Sequence, residues 1–167
     1  PMTAINGLNP GPGNISMDMT DTQIRNLLER NFSSITGAVG TNNHMGSTAT
    51  SDSRIMNTVM AYLSETGRFF IDSRTTSNTV AFQYAKKYRV PFLERDIFLD
   101  HDRSPVAIRK ALQNGIQVAK ETGQVVLIGH SSVTSLAEIL LEKHSEIERQ
   151  GHLIVPVSTL FKKLLVN

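Results

Sequence analysis

Apolar residues in this chain follow two rhythms. Stretches with hydrophobic positions three and four apart alternate with short continuous apolar runs. The first rhythm belongs to helices with one buried face, the second to strands covered on both faces. A helix is predicted after Met19, where Thr20 and Gln23 form a capping-box pair and Ile24, Leu27, Leu28 and Phe32 line one side. Residues 35–40 read as a short buried strand. A second helix starts near Asp52, turns Ile55, Val59, Met60 and Leu63 inward, and stops at Gly67. Residues 68–71 read as a strand. Ser77 is placed to cap a helix carrying Val80, Ala81, Tyr84 and Ala85. Residues 90–94 read as a short strand that contains Pro91. Ser104 and Pro105 open a helix with Ile108, Leu112, Ile116 and Ala119 on its inner face, ended by Gly123. Residues 125–128 are the clearest buried strand. A helix over 133–149 ends at Gly151, residues 153–155 form the last predicted strand, and a short helix starts near Ser158.

Strands that alternate with helices of this length imply parallel βαβ units. The expected class is therefore α/β with a parallel sheet, either part of a (β/α) barrel or an open doubly wound sheet. No repeat or internal boundary interrupts residues 1–167, which read as a single domain. The chain opens Pro1-Met2, and residues 3–19 carry Gly7, Pro10, Gly11, Pro12 and Gly13 with little periodicity. This suggests the C-terminal piece of a longer protein.

Composition narrows the function classes. A length of 167 residues with 40% hydrophobic and 19% charged residues can bury a real core. The formal charge is +2 with acids and bases interspersed, and no basic run is interleaved with aromatics, so nucleic acid is not an expected partner. Cysteine is absent, which removes disulfides and thiolate metal sites. No apolar run is long enough to span a membrane.

Chemistry gathers where the predicted strands end. After the first come Asn42, Asn43, His44 and Ser47. After Ile71 come Asp72, Ser73 and Arg74. After Glu94 come Arg95 and Asp96, then Asp100, His101 and Asp102. After Gly129 comes His130. In a parallel sheet such loops share one rim, so His44, Asp72, Arg95 and His130 are expected at the same end. Converging imidazole, carboxylate and guanidinium groups suit hydrolysis, with a metal or a base activating water and an imidazole protonating the leaving group. Each residue also has a plainer role. His44 could bond a neighbouring loop or ligate a metal. Asn42 and Asn43 could be turn formers. Asp72 with Arg74, and Arg95 with Asp96, could be ion pairs. His101 and Asp102 read as a solvated turn, His144 as exposed, and His152 as structural. His130, following an apolar strand and a glycine, is the best single catalytic candidate.

The run Gly40-Thr41-Asn42-Asn43-His44-Met45-Gly46-Ser47 resembles the divergent polysaccharide deacetylase family. So do Phe70-Ile71-Asp72-Ser73-Arg74-Thr75, Arg95-Asp96-Ile97-Phe98-Leu99-Asp100, Leu127-Ile128-Gly129-His130 and Val155-Pro156-Val157-Ser158, in the family's order. The resemblance implies the C-terminal portion of a deformed (β/α) barrel. It also implies metal-dependent hydrolysis of N-acetyl groups on a polysaccharide. It makes His44 the ligand of a divalent metal, with zinc expected, and His130 the general acid. Asp72, Arg95 and Asp96 join His130 in the catalytic group, and Asn42, Asn43, Ser47 and Arg74 contact the substrate. Two features depart from the family. An early Asp-Asp strand and a preceding His are absent, so the chain alone is not expected to complete a metal site. Ser131 stands where the family usually has Pro. The family also implies an exported or cell-envelope protein. The alternatives are a non-catalytic envelope protein of the same fold that binds glycan or a protein partner, and a glycosidase pairing Asp72 with Asp96 or Asp100.

Overall fold

A computed structural model describes residues 1–164 and divides the chain into two compact units, Pro1–Glu94 and the segment from Arg95 onward. The class is mixed α/β with parallel sheets, as the alternation of periods implies.

The first unit holds helices α1 (Asp21–Ser33), α2 (Ser53–Glu65) and α3 (Ala81–Tyr88) and strands β1 (Gly40–Asn42), β2 (Phe69–Asp72) and β3 (Phe92–Glu94). The strands form a parallel sheet in the order β1-β2-β3, with Asn42 beside Ile71 and Asp72 beside Glu94. Helix α1 begins with the predicted capping box: Thr20 Oγ1 accepts from Gln23 N–H, and the Thr20 N–H donates to Gln23 Oε1. Asp52 caps α2 by accepting from Ile55 N–H at 2.8 Å. The inward face of α2, with Ile55, Met56, Val59, Met60 and Leu63, is buried against α1, α3 and β2. Burial of each such side chain contributes about 1.5–3 kcal/mol, so α2 is the main anchor of this unit.

The second unit holds β4 (Ile97–Phe98), α4 (Pro105–Thr122), β5 (Leu127–Ile128), α5 (Thr134–Arg149) and α6 (Ser158–Leu164). Strands β4 and β5 pair in parallel, with Ile97 beside Leu127 and Phe98 beside Ile128. Ser104 caps α4, Pro105 occupies its first turn, and Gly123 ends it in the left-handed region at φ 84°. Leu99, Ile108, Leu112, Leu136, Ile139 and Ile147 form the core of this unit.

Several expectations change. The first strand runs from Gly40 to Asn42; Ile35 and Val39, 64% and 59% exposed, precede it. Gly40 allows this pairing, because a Cβ there would lie 2.3 Å from the Phe69 ring carbon across the ladder. The capping position of α3 is Val80 without a side-chain cap, so Ser77 lies upstream of the helix. The run 153–155 pairs with no strand among the described residues, and Leu153 is 75% exposed. The apolar run there reports composition without burial.

Candidate functional site

In the first unit, the loops after β1 and β2 are stitched together. Asn43 is buried, and its Oδ1 accepts from the Ser73 N–H at 2.8 Å while its Nδ2 donates to the Met45 carbonyl at 2.8 Å. Asn42 Nδ2 donates to Ser73 Oγ at 3.1 Å. Asp72 is fully buried at the end of β2. Its Oδ1 accepts from the Arg74 N–H at 2.8 Å, and its Oδ2 accepts from the Thr79 hydroxyl at 2.7 Å. Both carboxylate oxygens thus hold the loop that follows. Two non-glycine residues of these loops, Met45 and Arg74, sit in the left-handed region at φ 57° and 52°. Such positions cost about 1–2 kcal/mol each and persist where surrounding bonds over-determine them. Here Asn43 and Asp72 supply those bonds.

His44 is exposed in the same loop, and its carbonyl accepts from the Met2 N–H at 3.0 Å. Ser47 Oγ accepts from the Ile5 N–H at 2.9 Å, so this hydroxyl fastens the N-terminal segment to the loop. The guanidinium of Arg74 reaches Glu94, the last residue of β3, at 3.6 Å. Within this unit, His44, Asp72 and Arg74 do share the carboxyl end of the parallel sheet.

In the second unit, Asp100 and His130 lie two residues beyond the paired ends of β4 and β5. Asp100 is 2% exposed, whereas the His130 side chain is 39% exposed. One carboxylate oxygen, Oδ2, accepts from the His130 N–H at 2.9 Å and lies 3.0 Å from ring Nδ1. The other, Oδ1, is buried with no hydrogen-bond partner among the described residues. With Nδ1–H directed at the carboxylate, the neutral ring presents Nε2 as its acceptor. The edge of the ring meets Phe98 at 5.3 Å between centroids, and the Arg95 guanidinium lies 5.4 Å from the same Phe98 ring. Gly129 leaves room for Leu136, since a Cβ there would come within 2.4 Å of Leu136 Cδ2.

Arg95 and Asp96 follow β3 but also precede β4, which places their backbone at the amino end of the β4–β5 ladder. Asp96 accordingly accepts from the Val126 N–H at 2.7 Å and pins the start of β5. Arg95 and His130 both meet the ring of Phe98. Strand-end reasoning passed over Phe98, and it gathered Asp100 with the polar strand ends as a glycosidase carboxylate without pairing it with His130. The spacing held a signal for Asp100, because β4 and β5 end two residues before Asp100 and His130. His101 and Asp102 are exposed, as a solvated turn requires, and Asp102 accepts from the Ser104 N–H at 2.8 Å. That bond holds its carboxyl below the usual aspartate range. His144 is exposed beside Glu148.

Among the described residues, no group of three His, Cys, Asp or Glu side chains is placed to hold a metal ion. The oxygens of Asp72 are engaged by this chain's own donors, and His44 would need ligands from elsewhere. The described residues thus supply no three-ligand cluster among themselves. No described helix is long and apolar enough to cross a membrane.

Known proteins resemble this chain at three levels. An uncharacterized protein of Haemophilus influenzae is 32% identical over 137 residues, covering 82% of this chain and 49% of that protein. The uncharacterized protein YibQ of Escherichia coli is 34% identical over 113 residues, 68% of this chain and 35% of YibQ. The chain thus spans half or less of the length of these relatives. The crystal structure of an uncharacterized protein from Agrobacterium tumefaciens superposes with a TM-score of 0.90 at 22% identity, over 95% of this chain and 65% of that one. That likeness establishes the fold. Residues 1–161 match the family described as divergent polysaccharide deacetylase. The chain belongs to the divergent polysaccharide deacetylase family.

Proposed function

We propose that the chain contributes to a hydrolase that removes N-acetyl groups from a polysaccharide, with His130 as the proton carrier. The observation that carries this reading is the Asp100–His130 pair. A buried carboxylate orients a half-exposed imidazole at the end of a parallel ladder, the arrangement a general acid requires. Asp100 fixes the tautomer and places a negative charge 3.0 Å from the ring. The ring then carries a proton at Nε2 toward the leaving amine. Phe98 packs against the ring edge and restricts its rotation. In the family setting a divalent metal, zinc first, would take His44 as one donor, with its other ligands supplied from outside the described residues.

The test is acetate release from acetylated oligosaccharides by the full-length protein. His130→Ala is expected to lower turnover by roughly 10²–10⁴-fold with little change in glycan affinity. Asp100→Asn is expected to lower turnover at least ~10-fold and to shift the pH profile, because the amide no longer fixes the ring tautomer. Elemental analysis of His44→Ala against wild type tests the ligand role: equal metal content removes it. A second reading has its own support. Asp72, Asn43 and Asp96 all accept from backbone N–H groups, and Asp72 also from the Thr79 hydroxyl, so the strand ends are also built to hold loops rigid for binding alone. If wild-type protein with bound metal releases no acetate from any acetylated glycan, that binding role replaces the enzyme.

A further inference from the structure

Three non-glycine residues of the described chain adopt a positive φ: Met45, Arg74 and Arg89. Arg89 ends helix α3, where that conformation is the ordinary terminator. Arg74 has its N–H held by the buried Asp72 carboxylate. Met45 ends no helix, and its side chain has no amide or carboxylate with which to support the left-handed region as Asn or Asp does. It immediately follows His44. Its φ of 57° sets the plane of the peptide that joins it to His44. What holds Met45 therefore also fixes how the His44 backbone stands.

The holding bonds meet at one atom. The Met45 carbonyl accepts from Asn43 Nδ2 at 2.8 Å and from the Thr75 hydroxyl at 3.0 Å. The carbonyls on either side are tied as well. That of His44 accepts from the Met2 N–H at 3.0 Å, and that of Gly46 accepts from the Thr50 N–H and hydroxyl, each at 2.8 Å. Thr75 differs from these donors because it belongs to the loop after β2. It reaches across 30 positions and links two loops at the carboxyl end of the parallel sheet, the edge where ligands bind in such sheets. Asn43 also accepts from the Ser73 N–H, so its loss would release both loops at once. Thr75 is exposed, and its oxygen stands 3.4 Å from Asn43 Nδ2. A hydroxyl has a single proton to donate, and here it goes to the carbonyl of the left-handed residue.

We propose that Thr75 is a positioning residue for His44. Through the Met45 carbonyl it keeps Met45 left-handed, and through the shared peptide it keeps the His44 imidazole in one orientation at the rim of the sheet. The clamp itself is read from Thr75 and Met45; that a fixed His44 serves a bound metal rests on the proposed function. Without the hydroxyl, Met45 relaxes toward the right-handed or extended regions that a non-glycine residue prefers. The peptide before it then turns, and the His44 ring samples more than one orientation.

Thr75→Val in the full-length protein tests this, since valine keeps the branched shape and loses the donor. The first readout is the His44 ring signal in proton–carbon spectra of metal-free protein with labelled histidine, assigned by its loss in His44→Gln. Thr75→Val is expected to split or broaden this signal, and Thr75→Ser, which keeps the hydroxyl, to leave it single. A threonine that only stabilises its loop would lower the melting temperature and leave the ring signal unchanged. The second readout is calorimetric titration with zinc alone. Thr75→Val is expected to bind zinc roughly tenfold more weakly than wild type, and Thr75→Ser as wild type does. The proposal is overturned by an unchanged His44 signal in Thr75→Val or by an equal disturbance in Thr75→Ser. An unchanged zinc affinity in Thr75→Val, where His44→Gln loses zinc, also overturns it. The His44→Gln variant keeps the two readings apart. If it binds zinc as tightly as wild type, the metal role of His44 fails and the ring signal alone judges the clamp. If it loses zinc while Thr75→Val keeps both the ring signal and the affinity, the clamp fails alone.

Discussion

Replacing Asp72 separates a carboxylate that does chemistry from one that holds a loop. Asp72→Ala removes two acceptors, one for the Arg74 N–H at 2.8 Å and one for the Thr79 hydroxyl at 2.7 Å. Hydrogen bonds to a charged group contribute about 1.5–3 kcal/mol each. Against this, the variant no longer buries an ionised carboxylate, which offsets part of the loss. A net destabilisation of about 2–4 kcal/mol follows. For a chain of this length, each kcal/mol lowers the melting temperature by about 2–4 °C, so a fall of roughly 4–16 °C is expected. Asp72→Asn keeps one acceptor for the Arg74 N–H and presents an NH₂ to Thr79 Oγ1, which can accept it; the expected cost is about 1 kcal/mol. Urea unfolding measures both variants, and acetate release is then compared per folded molecule. The reasoning fails if Asp72→Ala unfolds at the wild-type midpoint. It also fails if Asp72→Asn is fully stable but loses turnover by two orders of magnitude, because Asp72 would then be a catalytic carboxylate.

Gly40→Ala places a methyl 2.3 Å from the Phe69 ring across the β1–β2 ladder and should cost about 1–3 kcal/mol by overpacking, seen as a lower melting temperature; a neutral result would show that the ring swings aside freely. Acid should weaken the fold through Glu65 and Glu142, whose carboxyls are held below the ordinary glutamate value of 4.5 by hydrogen bonds from Arg25 and Arg109. A depressed folded pKa means that the stabilisation is complete above about 4.5 and is lost as pH falls through the lower folded value. Unfolding midpoints measured downward from pH 5 check this, and Glu65→Gln with Glu142→Gln should flatten the slope. High salt should shrink the effect, since both pairs are exposed.

The helices were legible because their signals are local. Thr20 with Gln23, Asp52, and Ser104 before Pro105 satisfy helix ends from within a few residues, and the apolar faces behind them are the buried ones. Strands were legible only as far as burial follows composition. Phe70 and Ile71 are buried in β2, but Leu153, Ile154 and Val155 are as apolar and stand exposed. Nothing within three residues distinguishes the two runs, because pairing depends on partners that are distant in sequence. The second strand of this region, β4, was missed for the same reason. Residues 90–94 read as a strand with Arg95 and Asp96 at its polar end, whereas β3 and β4 pair with different partners on either side of Arg95 and Asp96.

Three aspartates carry similar sequence signals and do different work. Asp72, Asp96 and Asp100 each lie at or near the boundary of a short apolar run. Asp72 spends both oxygens on Arg74 and Thr79 and so fixes a left-handed loop. Asp96 accepts the Val126 N–H ahead of the β5 pairing and fixes a register. Asp100 alone meets an imidazole, and it places both His130 donors on one oxygen. Its other oxygen stays buried without a partner among the described residues. Asp96 shows that one bond from an exposed carboxylate suffices to hold a strand end. Burial and partner identity, set by residues 30 positions apart, therefore separate the aspartate that meets an imidazole from the two that hold a loop and a strand start.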